Sequence, residues 1–146
     1  MYFKQLLNEQ CGCASYIIAS RDSGEAAIVD PAMQIDEYES LLDHRGLTLK
    51  YVIDTHVHAD HVSGARSLVK ARGGELCLHE SARVAYPFRP LTDGEELEAD
   101  PLRLRVMHTR GHRPELISIL MINPPRSLEP SMVLTGDAAC RRRRAP

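Results

Sequence analysis

The segment THVHADH, residues 55–61, sets His56, His58, Asp60 and His61 within six consecutive positions. Neither the helical nor the strand period calls for that pattern. Buried together without compensation, these groups would all lose water at a large cost. Imidazole and carboxylate are the common ligands of zinc and iron, and a shared cation would supply the compensation. Histidines two residues apart in an extended segment aim to the same side, and Asp60 and His61, opening the next helix, can face the same space.

Two later segments offer further donors. TRGHRPE places His112 in a glycine-containing turn between two apolar runs, and VLTGDA places Asp137 just after another. Loops at strand ends are where open α/β sheets carry their sites. A lone histidine or aspartate says little. Three donor-bearing segments, each following a strand, point together to one metal centre. Arg110 and Arg113 flank the Gly111–His112 pair; they are expected to face solvent, although either could meet a substrate carboxylate.

The elements that must position these donors read as short strands alternating with two helices. Strands are expected over residues 2–7, 15–19, 25–29, 49–53, 76–78, 102–106, 116–122 and 132–134. Ile35, Tyr38, Leu41 and Leu42 recur at helical spacing up to Gly46. Val62, Ala65, Leu68 and Val69 mark a second helix that Gly73–Gly74 closes. Residues 81–86 are expected to hold a helical turn, and Asp93–Gly94 a tight turn. Met107, Met121 and Met132 fall in or beside apolar runs and read as core. His44 and His79 read as surface residues, His108 as a structural strand-end residue, and Asp30 as a turn cap before Pro31.

With 146 residues the chain is long enough for one domain with a real core. The net charge of −2 argues against nucleic acid or an anionic membrane as the main partner. No apolar run is long enough to span a bilayer, and MYFKQLLNEQ lacks the layout of a signal peptide. The four cysteines, Cys11, Cys13, Cys77 and Cys140, form no disulfide framework. Cys11 and Cys13 could be half of a metal site, but no second pair follows at zinc spacing, so they read as thiols in a turn. Cys77 reads as a small buried residue. A reducing cytoplasm fits all four. The tail CRRRRAP reads as a solvated charge run.

The series H-V-H-A-D-H, then G-H in a turn, then T-G-D after a strand resembles the metallo-β-lactamase superfamily. The likeness runs from Met1 to about Asp137. It implies an α/β protein with the αββα sandwich, two mixed sheets back to back and helices outside. MYFKQLLNEQCGCASYIIAS, IVDPA, THVHADHVSGARSL and GHRPELISIL are most similar to bacterial persulfide dioxygenases, relatives of glyoxalase II that are sometimes fused to rhodanese domains. That resemblance implies one Fe(II) per chain held by His56, His112 and Asp137. Three positions would then remain for dioxygen and the outer sulfur of a thiol persulfide such as glutathione persulfide, giving sulfite and the thiol. His58, Asp60 and His61 would orient ligands and hold water. The alternative is a two-zinc thioester hydrolase of the glyoxalase II kind, with His56, His58 and His112 on one Zn(II), Asp60 and His61 helping to hold a second, and Asp137 bridging.

The resemblance also has breaks. Arginines stand beside Gly111–His112 where proline and threonine are usual. After Asp137 the likeness stops, so residues 1–137 are expected to form the N-terminal half to two-thirds of the fold, and residues 138–146 a basic tail foreign to the family. The late histidine of two-zinc members is missing, which tilts the reading toward one metal. An incomplete sandwich would leave residues 49–53 and 116–122 partly uncovered, and a homodimer could substitute for the missing half. A fragment that binds metal without turnover is the third possibility.

Overall fold

Tyr2–Asn8 (β1) and Cys13–Ala19 (β2) pair antiparallel, with Tyr2 opposite Ala19 and Asn8 opposite Cys13. The computed structural model describes residues 1–8 and 12–139, so Cys11, Cys140 and the arginine tail lie outside the described residues. Glu25–Val29 (β3) runs antiparallel to β2. Thr48–Ile53 (β4), Glu75–His79 (β5) and Arg89–Leu91 (β6) then add in parallel. The result is a six-stranded mixed sheet in chain order. Glu96–Ala99 (β7), Leu102–His108 (β8), Ile117–Asn123 (β9) and Ser127–Leu134 (β10) form a second, antiparallel sheet of four.

The pleat sorts the apolar residues of the first sheet into two cores. Ile18, Ala27, Val29, Tyr51, Ile53, Cys77 and Leu91 face the second sheet, against Leu97, Leu104, Val106, Ile117, Ile119 and Met121. Ile17, Ala19, Ala26, Ile28, Val52, Leu76 and Leu78 face the other way. They pack on Tyr38 and Leu42 of the helix Asp36–Arg45 (α1) and on Ala65 and Leu68 of the helix Ala65–Arg72 (α2). A register shift skips Lys50 in β4, so Leu49 joins the helix-facing core although Tyr51 faces the second sheet. The α1 helix ends where Gly46 adopts φ 60° and donates its N–H to Asp43 O, as expected.

These layers are the helix–sheet–sheet part of the expected αββα sandwich. Among the described residues, both α-helices sit on the first sheet. The outer face of the second sheet carries Arg103, Arg105, Met107, Leu120 and Val133, with Met107 38% and Val133 44% exposed. The uncovered inner face expected from an incomplete sandwich is not found. Both sheets are present and seal each other, and Tyr51, Ile53, Leu116, Ile117 and Met121 are all buried. Met107 corrects the reading of all three methionines as core.

Other readings also change. The α2 helix begins at Ala65, and Val62 is 66% exposed rather than on its buried face. Residues 81–86 contain no helical turn. The β6 and β7 strands have no clear sequence signal, because three residues around a proline and the four-residue run ELEA carry too little periodicity. His79 is buried, its ring stacked 3.7 Å from that of His108. No described helix is long and apolar enough to cross a membrane.

Gly64 joins the histidine segment to α2. Its N–H donates to Pro31 O (2.9 Å), beside the bridge between Ala32 and Ser63. A Cβ there would overlap the Ala32 carbonyl oxygen, a backbone atom that cannot swing aside, with the Ile35 side chain also crowding it. Gly64→Ala should therefore destabilise the chain by about 2–4 kcal/mol. A thermal midpoint within a degree or so of the parent would show that the two segments can separate freely.

Candidate metal centre

Parallel pairing makes β3 and β4 end at the same edge of the first sheet, and the antiparallel β2 begins there. That edge therefore gathers Cys13, Asp30 and the histidine segment. The second sheet reaches the same edge through the 109–116 turn and through the 3-10 helix Gly136–Ala139 that follows β10. Ile117 donates its N–H to Thr55 O (2.9 Å), which ties the two sheets at the site.

Asp30 is the anchor. It is 7% exposed and has φ 49°, a left-handed conformation unusual outside glycine. Its Oδ1 accepts from the Thr55 N–H at 2.7 Å and from His58 Nε2 at 3.1 Å, and its Oδ2 accepts from Thr55 Oγ1 at 2.8 Å. The Thr55 hydroxyl hydrogen is thus committed to Asp30. Its oxygen, 3.0 Å from His56 Nδ1, then accepts from that nitrogen. This places the His56 proton on Nδ1 and leaves the Nε2 lone pair bare, as a metal ligand requires.

His56 Nε2 lies 3.9 Å from Asp137 Oδ2, and His112 Nε2 lies 3.6 Å from the same oxygen. The rings of His56 and His112 meet edge to face with centroids 5.1 Å apart. The three ligand atoms all fall within 4.8 Å of one another. Donors spaced that closely around a common point fit metal–ligand bonds of about 2.0–2.2 Å. Burial, followed by the neighbouring positive charge of His58, lowers the His56 pKa and keeps it neutral for that role. The set of two imidazoles and one carboxylate suits Fe(II) as well as Zn(II).

The other motif residues go elsewhere. His58 is held by Asp30; burial works to lower its pKa, but the hydrogen bond and charge of Asp30 outweigh it and raise the value. Asp54, Asp30 and His58 form a second group of converging donors. Burial and the charge of Asp30 push the Asp54 carboxyl up to about 7, against the hydrogen bond it accepts from Ser63 Oγ at 2.8 Å. Asp60 and His61 turn toward Cys13 and form a third group. The motif residues therefore divide among three adjoining clusters, with the rings of His56, His58 and His61 in a row at 4.2 and 4.3 Å.

Several residues that build the site carried no motif. Glu115, 8% exposed, accepts the Val57 N–H at 3.1 Å. Arg113 does not simply face solvent: its Nε and Nη2 donate to Val57 O at 3.3 and 3.2 Å. Together they clip the turn that carries His112 onto the histidine segment. His108 Nε2, 2.7 Å from Pro114 O, braces the same turn. Asp30 exceeds its reading as a turn cap, and Cys13 exceeds its reading as a thiol in a turn.

Residues 8–145 match the Metallo-beta-lactamase superfamily. The chain belongs to that family. It is 26% identical over 136 residues to the bovine mitochondrial persulfide dioxygenase ETHE1, covering 92% of this chain and 51% of the relative. It is 32% identical over 100 residues to a hydroxyacylglutathione hydrolase of Methylobacillus flagellatus, covering 67% of this chain and 40% of that one. Among solved structures, a metallo-beta-lactamase of Staphylococcus aureus superposes with a TM-score of 0.86 at 30% identity over 94% of this chain and 43% of its own. The chain thus spans about half the length of the relatives it matches. In this chain the candidate donor groups gather at one edge of the paired sheets.

Two outcomes follow from this geometry. Gly136 has φ 48°, and a Cβ there would lie 2.5 Å from Thr55 Oγ1. Gly136→Ala should push Asp137 and Thr55 apart and weaken metal binding about tenfold or more, read by metal titration of the purified chain. The second concerns pH. The folded-state pKa of Asp54, about 7, exceeds the ordinary carboxyl value of 3.8, so its contribution is present in full below 3.8 and lost as pH rises through 7. Asn at this position stays neutral and still accepts from Ser63. Metal-free Asp54→Asn should therefore lose less thermal stability than the parent between about pH 4 and 7; equal losses would mean that the Asp54 carboxyl does not titrate there.

Proposed function

We propose that the chain carries a mononuclear iron centre of the persulfide dioxygenase kind, acting on a thiol persulfide such as glutathione persulfide. The observation that carries this reading is the convergence of His56, His112 and Asp137 while His58 is drawn away to Asp30. Two histidines and a carboxylate on one face, with the third nearby histidine committed elsewhere, make a site for one metal with open positions. The resemblance to persulfide dioxygenase ETHE1 supports the same reading.

In this reading an Fe(II) held by the three side chains supplies the dioxygen chemistry that turns the outer sulfur of the persulfide into sulfite and releases the thiol. The protein's part is positional and electrostatic. The Asp30–Thr55 relay fixes the His56 lone pair. Arg113 and Glu115 hold the backbone of Val57, so that the histidine segment and the His112 turn keep their spacing. His58, Asp60 and His61 line a cleft of about 290 Å³ that also contains Asp137 and Tyr16. There they would orient the substrate sulfur and hold or relay protons. The cytoplasm, a reducing compartment, suits the thiol chemistry and the two described cysteines, which form no disulfide.

A two-zinc thioester hydrolase is the second reading. It is favoured by the row of His56, His58 and His61 rings, which carries donors past the first cluster toward Asp60, and by the resemblance to hydroxyacylglutathione hydrolase.

Anaerobically purified protein should contain about one iron per chain and consume oxygen when given glutathione persulfide. His112→Ala and Asp137→Ala should each lower the retained iron at least about tenfold. Two zincs per chain with cleavage of a glutathione thioester and no oxygen uptake would replace this reading by the second.

A further inference from the structure

His79 and His108 belong to none of the three donor clusters, yet they meet beside the turn that carries His112. The β5 strand runs parallel to β4, so His79, its last residue, reaches the edge where the donors gather. His108 is the last residue of β8, at the root of the 109–116 turn. One imidazole from each sheet thus lies against the other, with centroids 3.7 Å apart and planes inclined by 30°. His79 is only 4% exposed.

The hydrogen bonds fix where the ring protons sit. Ser81 donates its N–H to His79 Nδ1 at 3.2 Å, and its Oγ lies 2.7 Å from the same nitrogen. An amide can only donate, so Nδ1 accepts, and the one ring proton is on Nε2. The His79 ring is therefore neutral. His108 Nε2 lies 2.7 Å from Pro114 O, and a carbonyl can only accept, so that nitrogen carries a proton. The His108 N–H donates to Asp93 Oδ1 at 2.8 Å, which fixes the strand end that bears the ring. The pair is thus tied at one end to Ser81, after β5, and at the other to Pro114, two residues beyond His112. Bonds from the Thr109 N–H to Leu116 O (2.9 Å) and from the Leu116 N–H to Arg113 O (3.3 Å) close the turn on itself. They do not place it against the first sheet. Arg113 and Glu115 hold it to Val57, and the imidazole pair holds it to β5.

We propose that His79 and His108 are positioning residues for the metal centre: their neutral, stacked rings latch the turn that carries His112 to the first sheet, and acid opens the latch. A second proton on His79 would land on Nδ1 and set two N–H groups against each other at Ser81. It would also place a cation against the His108 ring and Arg110, with Glu80 and Asp93 as the opposing acids. Burial, followed by the charge of His108, holds the His79 pKa below the ordinary 6.5; Arg110 adds to the fall, and Glu80 and Asp93 work against it. A base held below its ordinary value contributes stability that is complete above 6.5 and lost as pH falls through the lowered value. The proposal rests on His56, His112 and Asp137 being metal ligands, not on which metal they hold or which reaction follows.

Hydrogen exchange and Zn(II) titration of the full chain test it. In the metal-free parent, the Thr109 and Leu116 amides should lose at least about tenfold of their protection, relative to Ile28 in β3, between about pH 7.5 and 5.5. In His79→Asn, whose carbonyl still accepts from Ser81 but takes up no proton, that loss should shrink to about twofold or less. At about pH 7.5, His108→Phe keeps a ring against His79 but lacks the donor to Pro114 O, and should bind Zn(II) at least about tenfold more weakly. His108→Gln, whose amide nitrogen can donate from a similar place, should bind within about threefold of the parent. The parent also decides by itself: protection at Thr109 and Leu116 that stays level with Ile28 across this range would overturn the latch. So would an equal loss in the parent and His79→Asn, or undiminished zinc binding by His108→Phe. No zinc uptake by the parent would remove the metal centre and the positioning role with it. Zinc uptake with the expected responses, but no persulfide-dependent oxygen consumption by the iron-loaded chain, would support the latch and remove the dioxygenase reading.

Discussion

A buried carboxylate, Asp30, holds the metal-centre edge together. Charge removed from water is expensive unless it is paired on every side. Asp30 meets that demand with the Thr55 amide, the Thr55 hydroxyl and the His58 ring. All three partners come from the segment after β4, so the carboxylate welds the end of β3 to the residues that follow its parallel neighbour. The same bonds decide which nitrogen of His56 carries the proton. Structural anchoring and ligand preparation are therefore one set of contacts, and a change at Asp30 would be felt in both.

The rest of the architecture brings other segments to that weld. Two cores, one on each face of the first sheet, leave its strands little freedom to slide. The second sheet adds His112 and Asp137 through its connecting turn and its last strand. It is tied in place at the site itself, by the bond from Ile117 to Thr55 and by the grip of Arg113 and Glu115 on Val57. Without metal the edge concentrates Asp30, Asp54, Asp60 and Asp137 around His56, His58, His61 and His112. Part of the electrostatic tension is visible in Asp54, which burial and Asp30 drive toward neutrality. A cation supplies what the protein groups alone do not, and the donors are arranged in clusters compact enough to receive one.

Much of the site was legible before any coordinates. His56, His112 and Asp137 stood out because each is a donor placed after a strand, and these three converge. Among the described residues, eight of the ten strands and both α-helices announced themselves through periodicity, with β6 and β7 too short to do so. Cys13, Asp30, Arg113 and Glu115 were underestimated for a common reason: their importance is a matter of what they touch, and their partners lie 25 to 58 positions away in the chain. A lone cysteine or an arginine in a turn has no local signature of such a role. The expectation of an uncovered sheet face failed for a related reason, since residue patterns show which faces are apolar but not which of the available strands will close over them.

The amino-acid sequence by itself determined the chemistry on offer, a dense supply of imidazole and carboxylate on strand-end loops, because ligand type and strand period are local properties of the chain. Only the tertiary structure decided how those donors divide. His58 went to Asp30, Asp60 and His61 went to Cys13, and His56 met His112 and Asp137, because that allocation depends on distances of a few ångströms between segments that the parallel pairing of β3 and β4 and the packing of two sheets bring to one edge.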